Sequence, residues 1–113
     1  MLSRHNLASA LARQGEHAEA ARLLQQALDD HARVLGVTHP HTLASRDSLG
    51  LALDAMGEHA EAVRLHRQTL DDRIRVLGSN HPATSTSRHI LASALARMGE
   101  REEAVRLATT DPR

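Results

Sequence analysis

The sequence predicts an all-α protein, a stack of antiparallel helix pairs. Three observations carry this: a 42-residue internal period, apolar stripes of helical spacing, and glycines that punctuate them. Gly15, Gly57 and Gly99 are 42 residues apart, as are Arg4, Arg46 and Arg88. The same spacing links Leu7, Leu49 and Leu91, then Leu11, Leu53 and Leu95, then Ala20, Ala62 and Ala104. The segment Asp-Asp-x-x-Arg-Val-Leu-Gly occurs from Asp29 to Gly36 and again from Asp71 to Gly78.

Each unit reads as two helices. In the first, Leu7, Ala10 and Leu11 form a 3.6-residue stripe that Gly15 ends, since glycine tolerates the left-handed conformation there. In the second, Ala20, Leu23, Leu24, Ala27 and Leu28 continue the pattern to Gly36. Glu19, Glu61 and Glu103 stand in first turns, where the helix dipole favours negative charge. Asp29 with Arg33 and Asp71 with Arg75 have the i,i+4 spacing of helical ion pairs. Thr38 and Asn80 are expected to cap the next helices, with Pro40 and Pro82 in their first turns. The expected helices are 2–14, 17–35, 40–56, 59–77, 82–98 and 101–109, joined by short connections that favour antiparallel neighbours. The units run 1–36, 37–78 and 79–113, the first truncated at its start and the third at its end.

Composition fits this and excludes much else. Hydrophobic residues make up 41% of the 113, but Phe, Tyr and Trp are absent, so Leu, Ala, Val, Ile and Met build the core. Lysine is absent, which rules out P-loop and Schiff-base lysines. With no cysteine there is no disulfide, thiolate nucleophile or cysteine zinc site. Zero net charge and no aromatic stacking platform argue against nucleic acid. No apolar stretch suits a membrane span or signal peptide, so a cytoplasmic location is expected. No cofactor is expected. His39-Pro40-His41 is the tightest histidine group, but His39 and His81 recur at one point of the same turn and read as loop architecture, not a metal site. Asp29-Asp30 and Asp71-Asp72 are adjacent on a helix and point apart, which disfavours acid–base catalysis. No enzyme constellation emerges.

The pattern Arg4-x2-Leu7-Ala8-x2-Leu11 followed by Ala20-x3-Leu24 resembles the tetratricopeptide repeat, with Leu, Arg or His where that family has aromatics. The later copies give Arg46-x2-Leu49-Gly50-x2-Leu53 with Ala62-x3-His66, and Arg88-x2-Leu91-Ala92-x2-Leu95 with Ala104-x3-Ala108. A 42-residue period also fits HEAT or armadillo units; the Gly15-to-Ala20 interval and the small residue at position 8 favour the tetratricopeptide reading. The string from Arg33 through Gly36, His39-Pro40, Thr42 and Leu43 to Arg46 resembles the long-repeat class typified by kinesin light chains. Bacterial proteins carry similar arrays, often behind a nucleotide-binding domain, and the lysine-free, Arg- and Ala-rich composition looks actinobacterial.

The resemblance implies a right-handed superhelical solenoid and a non-catalytic scaffold that binds a protein or peptide segment in a concave groove. It places His5, Asn6, Ser9, Arg13, Asp47, Ser48, Leu51, Asp54, His89, Ser93 and Arg97 in that groove. An Asn–Asn pair that commonly contacts the ligand backbone in the class reads here His5-Asn6, Asp47-Ser48 and His89-Ile90. Arg13 and Arg97 would suit an acidic peptide, while Asp47 and Asp54 would make the middle acidic. The alternative is a structural unit whose repeats stack end to end into a homodimer or larger assembly, most simply a two-fold dimer through its exposed ends. For that, part of Leu2, Leu7, Leu11 and Leu24 at one end should lie open, and of Ile90, Leu91, Val105 and Leu107 at the other. The chain is then a piece of a longer array or is covered at its ends by another copy. In the central unit, Leu49, Leu53, Ala62, Leu65 and Leu70 should be the most buried set.

Overall fold

The computed structural model describes residues 4–109, apart from the side chain of His5. Leu2 lies outside the described residues. Six helices follow in order: α1 (Arg4–Arg13), α2 (His17–Leu35), α3 (Pro40–Ala55), α4 (His59–Leu77), α5 (Pro82–Arg97) and α6 (Arg101–Thr109). No strand occurs among the described residues. Each helix packs on the next, and the stack measures 42 × 30 × 18 Å. This is the helical repeat solenoid that the period predicts. No described helix is long and apolar enough to cross a membrane.

The turns follow from the residues that recur in them. At the end of α3, Gly57 takes φ +83°. Its N–H donates to the Asp54 carbonyl at 3.0 Å and the Glu58 N–H to the Leu53 carbonyl at 2.9 Å. This paired closure satisfies carbonyls that the helix would leave bare, and it needs a residue free of a Cβ penalty. The helix after the long turn starts differently from the sequence expectation. His39 and His81, not Thr38 and Asn80, are the N-caps. Their Nδ1 atoms accept from the N–H of His41 at 3.1 Å and of Ala83 at 3.0 Å. Proline is pre-shaped for the first helical position, so the cap falls on the residue just before it. Thr42 and Thr84 then donate their hydroxyls to the carbonyls of Gly36 and Gly78, at 2.7 and 2.8 Å, and tie each turn to its own helix.

Two clusters form the core. One joins Ala8, Ala20, Leu23, Leu24, Leu49, Ala52 and Leu65; the other joins Val63, Leu70, Leu91, Ala94, Leu95 and Ala104. Four of the five central-unit residues expected deepest are buried, while Leu53 is half-buried at the edge of the first cluster. The ends divide. Leu7 and Val105 are exposed; Leu11, Ile90 and Leu107 are half-buried. Leu24 and Leu91 are buried, contrary to expectation, because α3 covers the first and α4 the second.

The helical ion pairs also differ from the expected spacing. Arg33 and Arg75 reach Asp30 and Asp72, three residues back, at 2.6 and 2.7 Å. Asp30, partly exposed, and Asp72, largely covered, turn toward the preceding helix, where Arg4 and Arg46 meet them. Asp29 instead accepts from the Gln25 amide at 2.9 Å.

Candidate functional site

The face formed by α1, α3 and α5 carries two adjoining hollows that share Leu51. The first, about 190 Å³, lies between α1 and α3 and is lined by Ala8, Ser9, Ala12, His17, Leu24, Ser48, Leu51 and Ala52. The second, about 310 Å³, lies between α3 and α5 and is lined by Leu51, Asp54, Ala55 and Arg97. Leu51 is 48% exposed. The period explains its place: Ser9, Leu51 and Ser93 are equivalent, and they stand opposite the stripe that Leu7, Leu49 and Leu91 turn inward or toward a neighbouring unit.

Of the eleven residues placed in a groove from the sequence, Ser9, Ser48, Leu51, Asp54 and Arg97 line these hollows. Asn6, Arg13, His89 and Ser93 are exposed on the same three helices. The side chain of His5 lies outside the described residues.

The acidic middle expected from Asp47 and Asp54 does not form. Asp47 is buried beneath the face, with Arg73 Nη1 donating to its Oδ2 at 2.6 Å and His66 Nδ1 at 3.3 Å from its Oδ1. The same Arg73 nitrogen meets Ser87 Oγ at 2.7 Å. Asp54 is buried too: His59 Nδ1 meets its Oδ1 and Arg97 donates to its Oδ2. A buried carboxylate is stable only when paired, and each of these has drawn one arginine and one histidine from the helices packed around it. What remains accessible includes the aliphatic side chain of Leu51, serine hydroxyls, the guanidinium groups of Arg13 and Arg97, and the side chains of Asn6 and His89. Arg97 keeps 55% of its side chain exposed while bound to Asp54.

Residues that the sequence reading passed over complete the site. His66 fills the position of Leu24 in the first unit, and its ring lies so close to Gly50 that a Cβ there would stand 2.5 Å from Cε1. His17 opens α2 at the floor of the first hollow. The 42-residue register was the available signal: it pairs His17 with His59 and Ala12 with Asp54.

The comparisons agree with this architecture. The chain is 38% identical to the nearly identical TPR-like repeats of a Podosopora anserina protein described as a kinesin light chain, with a TM-score of 0.86. The match covers 92% of this chain and 49% of that one, so the chain spans about half the length of the repeats it matches. A single-residue variant of those repeats gives the same values. The TPR domain of Arabidopsis FLU matches at a TM-score of 0.78 and 19% identity, over 92% of this chain and 84% of that one, a likeness of fold alone. Among curated proteins none matches. A family model described as Tetratricopeptide repeat matches residues 1–73 and again 56–110. With both matches together spanning the six helices, the chain belongs to the tetratricopeptide repeat family.

Proposed function

We propose that the chain is a scaffold for protein–protein interaction whose α1–α3–α5 face receives an extended segment of a partner. The observation that carries this is Leu51, an exposed aliphatic side chain at the ridge between two hollows. A side chain of the partner in either hollow would bury Leu51, and a few such central contacts dominate binding energy. The reading includes no catalytic activity. It extends to membership of the long-repeat class and to a place within a longer regulatory protein; the matched kinesin-light-chain repeats, about twice as long, support that extension. Leu51→Arg tests the groove. Peptides selected from a displayed decapeptide library on the intact chain should lose at least about tenfold in affinity on the variant, or ~1.4 kcal/mol. The melting temperature should not move, because Leu51 lies outside both core clusters. Undiminished binding to Leu51→Arg would place the partner elsewhere.

A second reading, end-to-end self-association, is favoured by Leu7 and Val105, the apolar side chains left open on the first and last helices.

A further inference from the structure

Arg4, Arg46 and Arg88 stand at one place in the repeat, and two of them have a carboxylate. Arg4 meets Asp30 of α2, and Arg46 meets Asp72 of α4 and the Val37 carbonyl. Arg88, on α5, is 7% exposed, as covered as Arg46 at 6%. It meets no acidic or other hydrogen-bonding group among the described residues. The register shows why. Arg101–Thr109 of α6 matches His59–Arg67 of α4, and Asp72 stands five residues beyond Arg67. So α6, described over 9 residues against 19 in α2 and in α4, stops short of the place opposite Arg88. A covered charge without its partner is costly, far more so than a pair replaced as a whole. The guanidinium is covered but not sealed. Among the described residues, the side-chain atoms shut off from solvent without a partner are His17 Nδ1 and His66 Nε2 alone.

We infer that α5 is a second contact surface, on which a helix of a partner protein lies beside Arg88 in the register of α2 and α4 and gives the guanidinium an aspartate. Arg88 lines neither hollow, so this surface is separate from the groove and goes beyond the groove reading. Charge complementarity names the acid, and the repeat names the helix around it. The segments that satisfy Arg4 and Arg46 share the spacing Leu-x-Asp-x-x-Arg, as Leu28, Asp30 and Arg33 and as Leu70, Asp72 and Arg75. In both, the arginine three residues on holds the same carboxylate, and Leu70 is buried in the core. A partner helix with that spacing would meet Arg88 as α4 meets Arg46. A second copy of this chain is the poorer donor. Its own two segments of this kind are already engaged with Arg4 and Arg46, and it would have to give up one of those pairs.

The test uses the intact chain and, as probe, a peptide with the sequence from His66 to Gly78, acetylated and amidated at its ends. Titration followed by nuclear magnetic resonance should show saturable shifts along α5 at millimolar peptide. The same peptide with Asp72→Asn should bind at least about tenfold more weakly, the ratio for one charge-assisted hydrogen bond. In the chain itself, Arg88→Met keeps the alkyl stem and removes the charge. It should lose the same factor toward the acidic peptide and melt no lower than wild type. Arg46→Met should instead melt lower, because it strands Asp72. If Arg88→Met folds poorly, the two peptides compared on the wild type decide the matter. Absence of saturable shifts, or two peptides that bind within about twofold of each other, overturns the inference. Loss of peptide binding in Leu51→Arg would put the peptide in the groove and overturn it as well. A mass that doubles without peptide in the wild type but not in Arg88→Met would name a second copy as the donor, and this too overturns it. The groove reading stands or falls on its own library experiment.

Discussion

His66 and Gly50 occupy positions that the first unit fills with Leu24 and Ala8 and the third with Ala108 and Ala92. The exchange is coupled: the imidazole is 1% exposed and held by Asp47, and it takes the volume a Cβ on residue 50 would need. Ordinarily Gly→Ala inside a helix gains up to ~1 kcal/mol. Here the ring cannot swing away, so the clash should win, and Gly50→Ala should destabilise by about 1–3 kcal/mol. In a His66→Ala background the same change should become neutral or stabilising, because the third unit already combines two alanines at these positions. A double-mutant cycle by urea unfolding checks this; additive effects would mean that the ring and Gly50 are not coupled.

Between elements, a largely buried ion pair fastens Arg46 of α3 to Asp72 of α4. Arg46 Nη1 donates to Asp72 Oδ2 at 2.7 Å, with 7% and 13% of the two side chains exposed, and Arg46 Nη2 donates to the Val37 carbonyl at 3.2 Å. One guanidinium thus fixes the long turn and the following helix together. Burial works against the charged form of Asp72, but hydrogen bonds from Arg46 and Arg75 outweigh it and hold its carboxyl below the usual range. A carboxyl lowered by folding stabilises the native state above its unfolded pKa of ~3.9, and that contribution is lost as pH falls through the native value. Asp72→Ala should cost about 3 kcal/mol near neutrality, since it leaves a buried guanidinium unpaired. It should also reduce the loss of stability below about pH 4. Chemical unfolding of both proteins across that range measures it, and parallel pH profiles would dismiss the role of Asp72. Exposed pairs such as Arg64 with Glu61 should contribute far less.

For the whole molecule, the two ends carry the self-association reading. Val105 is 60% exposed whereas its counterpart Val63 is 7% exposed, because α5 covers Val63 and no described helix covers Val105 in the same way. Leu7 is 40% exposed whereas Leu49 is 4% exposed for the mirrored reason. Inside the stack Leu91 shares a cluster with Val63, and Leu49 with Ala21. Continued in register, the same geometry sets Leu7 of one copy against Val105 of the next, a head-to-tail contact and not a two-fold one. If the end-to-end reading holds, light scattering should show a mass that grows with concentration past two chains. Val105→Arg should return it to one chain with unchanged helical circular dichroism. A wild type of constant single-chain mass at near-millimolar concentration would reject self-association.

The sequence by itself determined the helix pairs and their order, because these depend on short-range chemistry. Apolar period, glycine after a helix and proline at a first turn act within a few residues, and the 42-residue spacing repeats each signal. It also showed which residues occupy equivalent places, and the shared face of Ser9, Leu51 and Arg97 was legible from that and from the family resemblance. What only the tertiary structure decided was how charges and small volumes are matched between helices. Asp47 and Asp54 read as groove acids along the chain, yet Arg73, His66, His59 and Arg97 arrive from 5 to 43 residues away to pair with them. His17 and His59 occupy equivalent positions, yet only His59 meets a carboxylate, that of Asp54. Pairing of buried charge depends on which side chains packing brings within about 3 Å, and periodicity places residues on faces without fixing those distances.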